Sequence, residues 1–335
     1  LGPRFVQGEG AWERGAALLS RLPQPLGLVG EAGLLKRFRR PLTGAWLEAG
    51  LHLEVLAQPD GADCSLAACD RLIADARGRG VKALLGFGGG RMLDLAKAAA
   101  WAQGWRVATA PSSPATCACA TGVAVMNAEG AFSQVLDGAP PELCLLETPV
   151  LAQAPPRLLA AGLADTLAKW LEWRALEAQP QPEAVEGWSL ARRAAETVAQ
   201  EGAAALRGDP AALELCLQAC LPWSAAASNA GQAPAAAAHS LANALSRQAP
   251  GRGLLHGEAV GFGLLWQEAL LDGQDSANMG LGLKGLLRSW GLPTALPPGL
   301  DLGRLLDDAW RDDETVHLLG IERDPPREQR CLPLG

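Results

Sequence analysis

Tyrosine is absent from the 335 residues, so no phenolic hydroxyl can act as an acid, and a tyrosine–lysine hydride-transfer site is excluded. Positive charge is also short. Against 36 Asp and Glu stand 29 Lys and Arg, a net charge of −7, which leaves no basic surface to neutralise a phosphate backbone. Nucleic acid is not an expected partner. No uninterrupted apolar run approaches the roughly 20 residues of a bilayer-spanning helix, so no membrane partner is expected either. Disorder is excluded because 49% of the residues are hydrophobic, enough to offset the entropy of ordering the chain. The eight cysteines do not read as a disulfide framework in a chain of this length. Cys216 and Cys220 stand one helical turn apart and could present two thiolates on one face, but small buried hydrophobes in a reducing cytoplasm are the simpler reading. No signal peptide is read, a cytoplasmic location is expected, and the first few residues are expected to take no part in the fold.

What is present divides into two halves, as the length allows. Up to about residue 148 short apolar runs alternate with helical periodicity. "PLGLVG" (25–30), "LHLEVL" (51–56), "VKALLGFG" (81–88) and "WRVATAP" (105–111) read as strands, with helices over 64–80 and 92–104. The runs 122–127 and 142–147 bracket a segment that makes a hairpin plus a final strand. Such alternation predicts a parallel sheet covered by helices. From 149 onward the strand signal vanishes into long Ala/Leu-rich stretches broken by Pro and Gly. The expected architecture is an α/β domain built on a parallel sheet over 1–148 and an all-α domain over 149–335.

"GFGGGRMLDLAKAAA" (86–100) combines a strand end, Gly88, Gly89 and Gly90, and a helix start. Glycines let a ligand approach the backbone, and the helix N-terminus offers N–H groups and a positive dipole end to a pyrophosphate. Asp94, in the first turn, is placed to cap the helix or meet a ribose hydroxyl. Thr109, Ser112 and Ser113 follow the next strand, where hydroxyls can reach a cofactor. A tight turn without a ligand is the plain alternative.

Histidine is rare, with only four residues. His239, inside a helical stretch, and His256, opening another, flank the turn "QAPGRG", so a helical hairpin can bring them together. Asp165 sits in a strongly apolar helix, where a carboxylate needs a cation or hydrogen bonds. One carboxylate and two imidazoles make a three-ligand metal set with an open position. A satisfied core histidine is the plain alternative at each site. Asn243 and Glu258 are candidates to orient an imidazole, with dipole complementation the plain role for Glu258.

Taken together, the glycine run with Asp94 and Lys97, "GLADTLAKWLE", "AAAHSLANAL" and "HGEAVGFG" resemble, in order, the motifs of the iron-containing alcohol dehydrogenase superfamily. "GADCSLAACDRL" resembles its glycerol dehydrogenase branch. The resemblance implies a dehydroquinate synthase-like fold, an α/β N-terminal Rossmann-like domain that binds a dinucleotide over 1–148 plus an all-α C-terminal domain that binds metal and carries catalysis over 149–335. It implies NAD(H) or NADP(H) on Gly88, Gly89, Gly90, Asp94, Thr109 and Ser112. It also implies one divalent metal on Asp165, His239 and His256, and a homo-oligomer acting on a small alcohol or carbonyl, a polyol or a 2-hydroxy/2-oxo acid. Where the iron-using branch has a fourth ligand, a His, this chain has Lys169, which favours zinc over iron and places a cation at the site. Two departures stand out. The stretch 110–122 lacks the acid that holds a polyol, Thr116 lying near that place, and a further family histidine is Ala242. A sugar-phosphate cyclase and a non-catalytic nucleotide-binding subunit are the rival readings.

Overall fold

The computed structural model describes residues 2–128, 131–176, 185–230, 235–271 and 282–334. It forms two compact units, Leu1–Ala154 and Pro155–Gly335. The change of character expected at 148/149 thus falls just inside the first unit, whose last helix is Thr148–Leu151.

In the first unit the strands are β1 (Arg4–Gly8), β2 (Leu26–Glu31), β3 (Leu53–Gln58), β4 (Ala83–Gly88), β5 (Arg106–Pro111), β6 (Val123–Ala128), β7 (Ala131–Asp137) and β8 (Leu143–Glu147). Six make a sheet in the order β1-β8-β5-β4-β2-β3, every pairing parallel, while β6 and β7 form an antiparallel hairpin. β4 is buried along its whole length, as a parallel strand covered on both faces must be. Its alternate residues serve two cores. Leu85 and Phe87 join Trp12, Phe38 and Trp46 on one face, and Leu84 joins Leu72, Met92 and Leu95 on the other. The helices are α1 (Ala11–Leu19), α2 (Ala32–Glu48), α3 (Leu66–Gly78), α4 (Gly90–Gln103) and α5 (Thr148–Leu151), of which α1 and α2 add to the expected set. One expectation is corrected. The first residues do belong to the fold, since β1 pairs with β8 from Arg4↔Leu143 to Gly8↔Glu147.

Every regular element among the described residues of the second unit is helical. It comprises α6 (Pro156–Ala175), α7 (Val185–Leu206), α8 (Pro210–Gln218), a π-helical turn (Ala219–Trp223), α9 (Ser224–Asn229), α10 (Ala237–Ser246), α11 (His256–Leu270), α12 (Gly282–Ser289), α13 (Leu302–Ala309) and α14 (Pro325–Cys331). The ends of two expected helical stretches, at 177–178 and 182–184, and positions 231–234 of the Ala-rich stretch lie outside the described residues. α8 passes into the π-helical turn between Cys216 and Cys220, and both thiols are buried. Burial pushes the Cys216 thiol up to about 12, so the pair does not present two thiolates.

α11 packs against both α6 and α10, and two glycines set how closely. A methyl group on Gly257 would lie 1.9 Å from the Ala161 carbonyl oxygen, and one on Gly263 would lie 2.1 Å from that of Ala238. Both contacts are backbone to backbone, and they adjoin His256 and His239. Replacing Gly257 by Ala forces α11 off α6. The expected result is a loss of about 1–3 kcal/mol in denaturant unfolding of the metal-free protein, the usual cost of overpacking. A change below about 0.5 kcal/mol, the range of neutral surface substitutions, would show that the helices separate freely.

Candidate metal centre and nucleotide turn

Asp165 projects from the middle of α6 and is only 3% exposed. Its Oδ1 is 3.6 Å from Nε2 of His239, 3.6 Å from Nε2 of His256 and 3.6 Å from Nζ of Lys169. Ligand atoms of Asp165, His239 and His256 all lie within 4.8 Å of one another, and this is the one such cluster among the described residues. The spacing is too long for N–H···O hydrogen bonds. It is close to the roughly 3.4 Å that separates two ligand atoms around a tetrahedral ion with bonds of about 2.1 Å. The donor set therefore fits a divalent metal. His256 is about half exposed at the head of α11, so the cluster has an open side.

His239 is the third residue of α10 and is held by a residue that the sequence reading did not assign to the site. Glu172, fully buried on α6, bonds Nδ1 of His239 through Oε2 at 2.5 Å. Its Oε1 accepts the backbone N–H groups of Ala236 at 2.7 Å and His239 at 3.0 Å. One carboxylate thus caps α10, which has no side-chain cap of its own, and fixes the imidazole with Nε2 toward Asp165. A sequence signal existed. Asp165, Lys169 and Glu172 recur at i, i+4 and i+7 on one face of an otherwise apolar helix.

The two residues expected to orient an imidazole do other work. Glu258 caps α11 by accepting from Leu255 N at 2.8 Å, and its two oxygens accept from Nε and Nη2 of Arg157 at 2.6 Å each. Asn243 donates to Glu314, which also pairs with Arg247.

Electrostatics follow from burial. Desolvation pushes the Asp165 carboxyl upward, but the Lys169 ammonium and the two imidazoles outweigh it and hold the group well below the usual carboxylate range. Burial favours neutral His239, yet Glu172, reinforced by Asp165, raises it to about 9.

In the first unit β4 runs into α4 through the glycine turn, at the carboxyl end of the sheet where open α/β folds bind ligands. Gly89 is the N-cap of α4, with no side-chain cap, an ordinary φ of −78° and no atom within 4 Å of where a Cβ would sit. Neither backbone strain nor packing requires glycine there. A pyrophosphate drawn close to the backbone would require it. Gly88 has φ +150°, and a methyl on Gly90 would touch Thr116 at 3.0 Å, so the 116 segment lies over the turn. Ser112 N donates to Gly88 O at 2.9 Å, which places Ser112 beside the turn.

Asp94 and Thr109 are engaged within the protein instead of standing open to a ribose. Asp94 is buried, pairs with Lys97 at 2.8 Å and accepts from Val125 N at 3.2 Å. Lys97, wholly buried, donates to the carbonyls of Ala118, Thr121 and Val123. Thr109 donates to Cys119 O at 2.6 Å. These bonds fasten the segment from Ala118 to Val125 to α4 and β5.

Residues 2–146 match the family model for iron-containing alcohol dehydrogenase. The chain is 33% identical over 306 residues to glycerol dehydrogenase of Pseudomonas putida, covering 88% of this chain and 82% of that one. It is 29% identical to hydroxycarboxylate dehydrogenase A of Escherichia coli K12, covering 78% and 76%. Among solved structures, a probable glycerol dehydrogenase from Sinorhizobium meliloti 1021 superposes with a TM-score of 0.87 at 25% identity, covering 98% of this chain and 96% of that one.

Two measurements test the centre. His239 is raised above its ordinary value near 6.5, so its contribution to the metal-free fold is complete below pH 6.5 and lost as pH rises through about 9. Metal binding needs the neutral imidazole and gains over the same window. The difference in melting temperature between metal-loaded and metal-free protein is therefore expected to widen from pH 6.5 to 9; a constant or shrinking gap contradicts the assignment. Separately, Glu172→Gln loses the anionic partner of Nδ1 and is expected to weaken metal binding by about 10–100-fold in a competition titration with a chelator. Unchanged affinity would make Glu172 a helix cap alone.

Proposed function

The chain belongs to the iron-containing alcohol dehydrogenase superfamily, in its glycerol dehydrogenase-like branch, and from that premise we propose that it interconverts a small alcohol and its carbonyl at a zinc ion held by Asp165, His239 and His256. It is a metal-dependent, NAD(P)-linked oxidoreductase. The overall reaction converts an alcohol and NAD(P)+ into a carbonyl, NAD(P)H and a proton. When bound, the ion supplies a Lewis acid to the substrate oxygen and the nicotinamide a two-electron hydride partner. The observation that carries the reading is the triangle of donors around Asp165 Oδ1, with its open side at His256.

Zinc is favoured because two imidazoles and one carboxylate with an open position suit a catalytic zinc site. Lys169, an ammonium with no lone pair, adds no fourth donor. Asp165 balances part of the ion's charge, the two imidazoles fix its place, and Glu172 holds His239 in the tautomer that leaves Nε2 as the ligand atom. Gly88, Gly89, Gly90 and Ser112 surround the place proposed for the cofactor's pyrophosphate. Asp94 and Thr109 bind the segment that runs from Cys119 to Val125 to α4 and β5.

The names of the relatives span glycerol and hydroxycarboxylates, and these bound the substrate class proposed for this chain. They are dehydrogenases, which favours net redox over the cyclase reading. We also propose a homo-oligomer in the cytoplasm; the eight free thiols fit a reducing compartment.

Elemental analysis of purified protein is expected to find one zinc per chain, and metal-loaded protein to oxidise NADH or NADPH against at least one member of a carbonyl panel. His256→Ala is expected to lose most of the metal and nearly all turnover; stoichiometric metal in that variant would remove His256 from the ligand set. For the cofactor, Gly89→Val places a branched side chain where the phosphates approach. NADH affinity by fluorescence titration is expected to fall more than about tenfold, since one charge-assisted phosphate bond is worth about 1.5–3 kcal/mol. Unchanged affinity would move the nucleotide off this turn.

A further inference from the structure

We infer that the second unit holds a separate site for a small organic anion, a carboxylate or phosphate head on an apolar body. That unit contains a cavity of about 630 Å³, within the roughly 300–1,000 Å³ of small-molecule pockets. Arg157 and Glu258 bring the first turns of α6 and α11 to it, and Ala203 and Leu206 bring the last turn of α7. The end of α12 and the residues just after it complete the lining. None of the lining residues is a proposed metal ligand, and nothing at this place depends on the dehydrogenase reading.

The walls divide by chemistry. Ala160, Ala203, Leu206, Trp290 and Leu292 supply apolar surface. Trp290 is only 3% exposed and packs against α7, where a Cβ on Gly202 would lie 2.7 Å from its Nε1, so this aromatic wall is already in place. The charged lining groups are Arg157, Arg207 and Glu258, two cations against one anion. Glu258 is fully committed. Its Oε1 accepts from Nε of Arg157, and its Oε2 accepts from Nη2 of Arg157 and from Leu255 N. Arg157 is thereby oriented, with Nη2 also donating to the Gly253 carbonyl and Nη1 left without a bond among the described residues. The Arg207 guanidinium makes no hydrogen bond or ion pair among the described residues. The positive dipole end of α6, which has no side-chain cap, adds to the field in the same sense. Fastening α6 to α11 accounts for the Arg157–Glu258 pair, but not for Arg207 or for the cavity beside it. An anion with an apolar body uses all of these features at once. Guanidinium forks match the geometry of a carboxylate or phosphate head, while Trp290 and the leucines take the body out of water.

The test is calorimetric titration of the full-length, zinc-loaded protein, saturated with NADH, against three probes of one body. These are 2-naphthoate, 2-naphthyl phosphate and the uncharged 2-naphthamide. At least one anion is expected to bind with a Kd of about 1 mM or tighter. The amide is expected to bind at least about tenfold more weakly, since it lacks the charge that the guanidiniums meet. Whichever anion binds more tightly identifies the head group. Arg207→Gln, at an exposed position, is expected to weaken the anion by about tenfold with zinc content and melting temperature unchanged. Ala203→Phe fills the cavity without touching a charge and is expected to abolish binding. Neither anion saturating, or the amide binding as tightly as both, overturns the inference. Unchanged affinity in Arg207→Gln, or binding retained in folded Ala203→Phe, puts the anion at the zinc or the nucleotide turn and overturns it equally. Where Ala203→Phe does not fold, Arg207→Gln decides alone.

Discussion

A carboxylate held almost out of water sets the terms for the second unit. An ionised Asp165 with no partner would cost several kcal/mol, so the helices around it must bring positive charge or polar nitrogen to its side. They bring three nitrogens, and all three stop at 3.6 Å. Direct bonding would close that distance to about 3 Å. For the two imidazoles that spacing suits donors around a shared ion, whereas Lys169, which has no lone pair, holds the same distance as a charge partner alone.

Much of the surrounding structure serves to keep that gap. α6 contributes Asp165, Lys169 and Glu172 from one face, so a single element sets the proposed ligand, the cation and the carboxylate that holds His239 together. α11 must then approach α6 and α10 closely enough to deliver His256, and it does so with glycine where the backbones meet at Ala161 and Ala238. Glu172 links the remaining helix, since the oxygen that caps α10 and the oxygen that aims His239 belong to one carboxylate. A change at any of these contacts reaches the centre without touching a ligand.

The fold was legible where periodicity was strong. β4 is a continuous apolar run, α6 an apolar helix with one charged face, and the segments around Asp165, His239 and His256 carry recognisable motifs. β1 escaped because a five-residue edge strand, RFVQG, has too few residues for a pattern and gains its identity only by pairing with β8. Glu172 escaped for another reason. A carboxylate two turns from a suspected ligand reads as a surface charge until the packing of α10 shows that it is buried. Glu258 and Asn243 went the other way. Their sequence positions suited an imidazole partner, but Arg157 and Glu314, distant in the chain, claim them.

The two lysine–aspartate pairs show why a motif cannot settle a role by itself. Asp94–Lys97 is buried, Asp165–Lys169 joins a buried carboxylate to a mostly covered ammonium, and the two pairs are alike in charge and in spanning about one helical turn. Around Lys97 the chain wraps carbonyl oxygens from Ala118, Thr121 and Val123, and the carboxylate beside it closes to 2.8 Å and takes a backbone N–H. Backbone groups consume that pair, and its function is to hold a segment over the glycine turn. Around Asp165 the neighbours are imidazole nitrogens, and the lysine stands off at 3.6 Å. Carbonyls and amides are fixed partners that leave nothing to exchange, whereas imidazoles at ligand spacing bind what arrives from outside. The same two residue types therefore build a latch in the first unit and border the proposed metal site in the second, and the difference lies in what the rest of the chain folds against them.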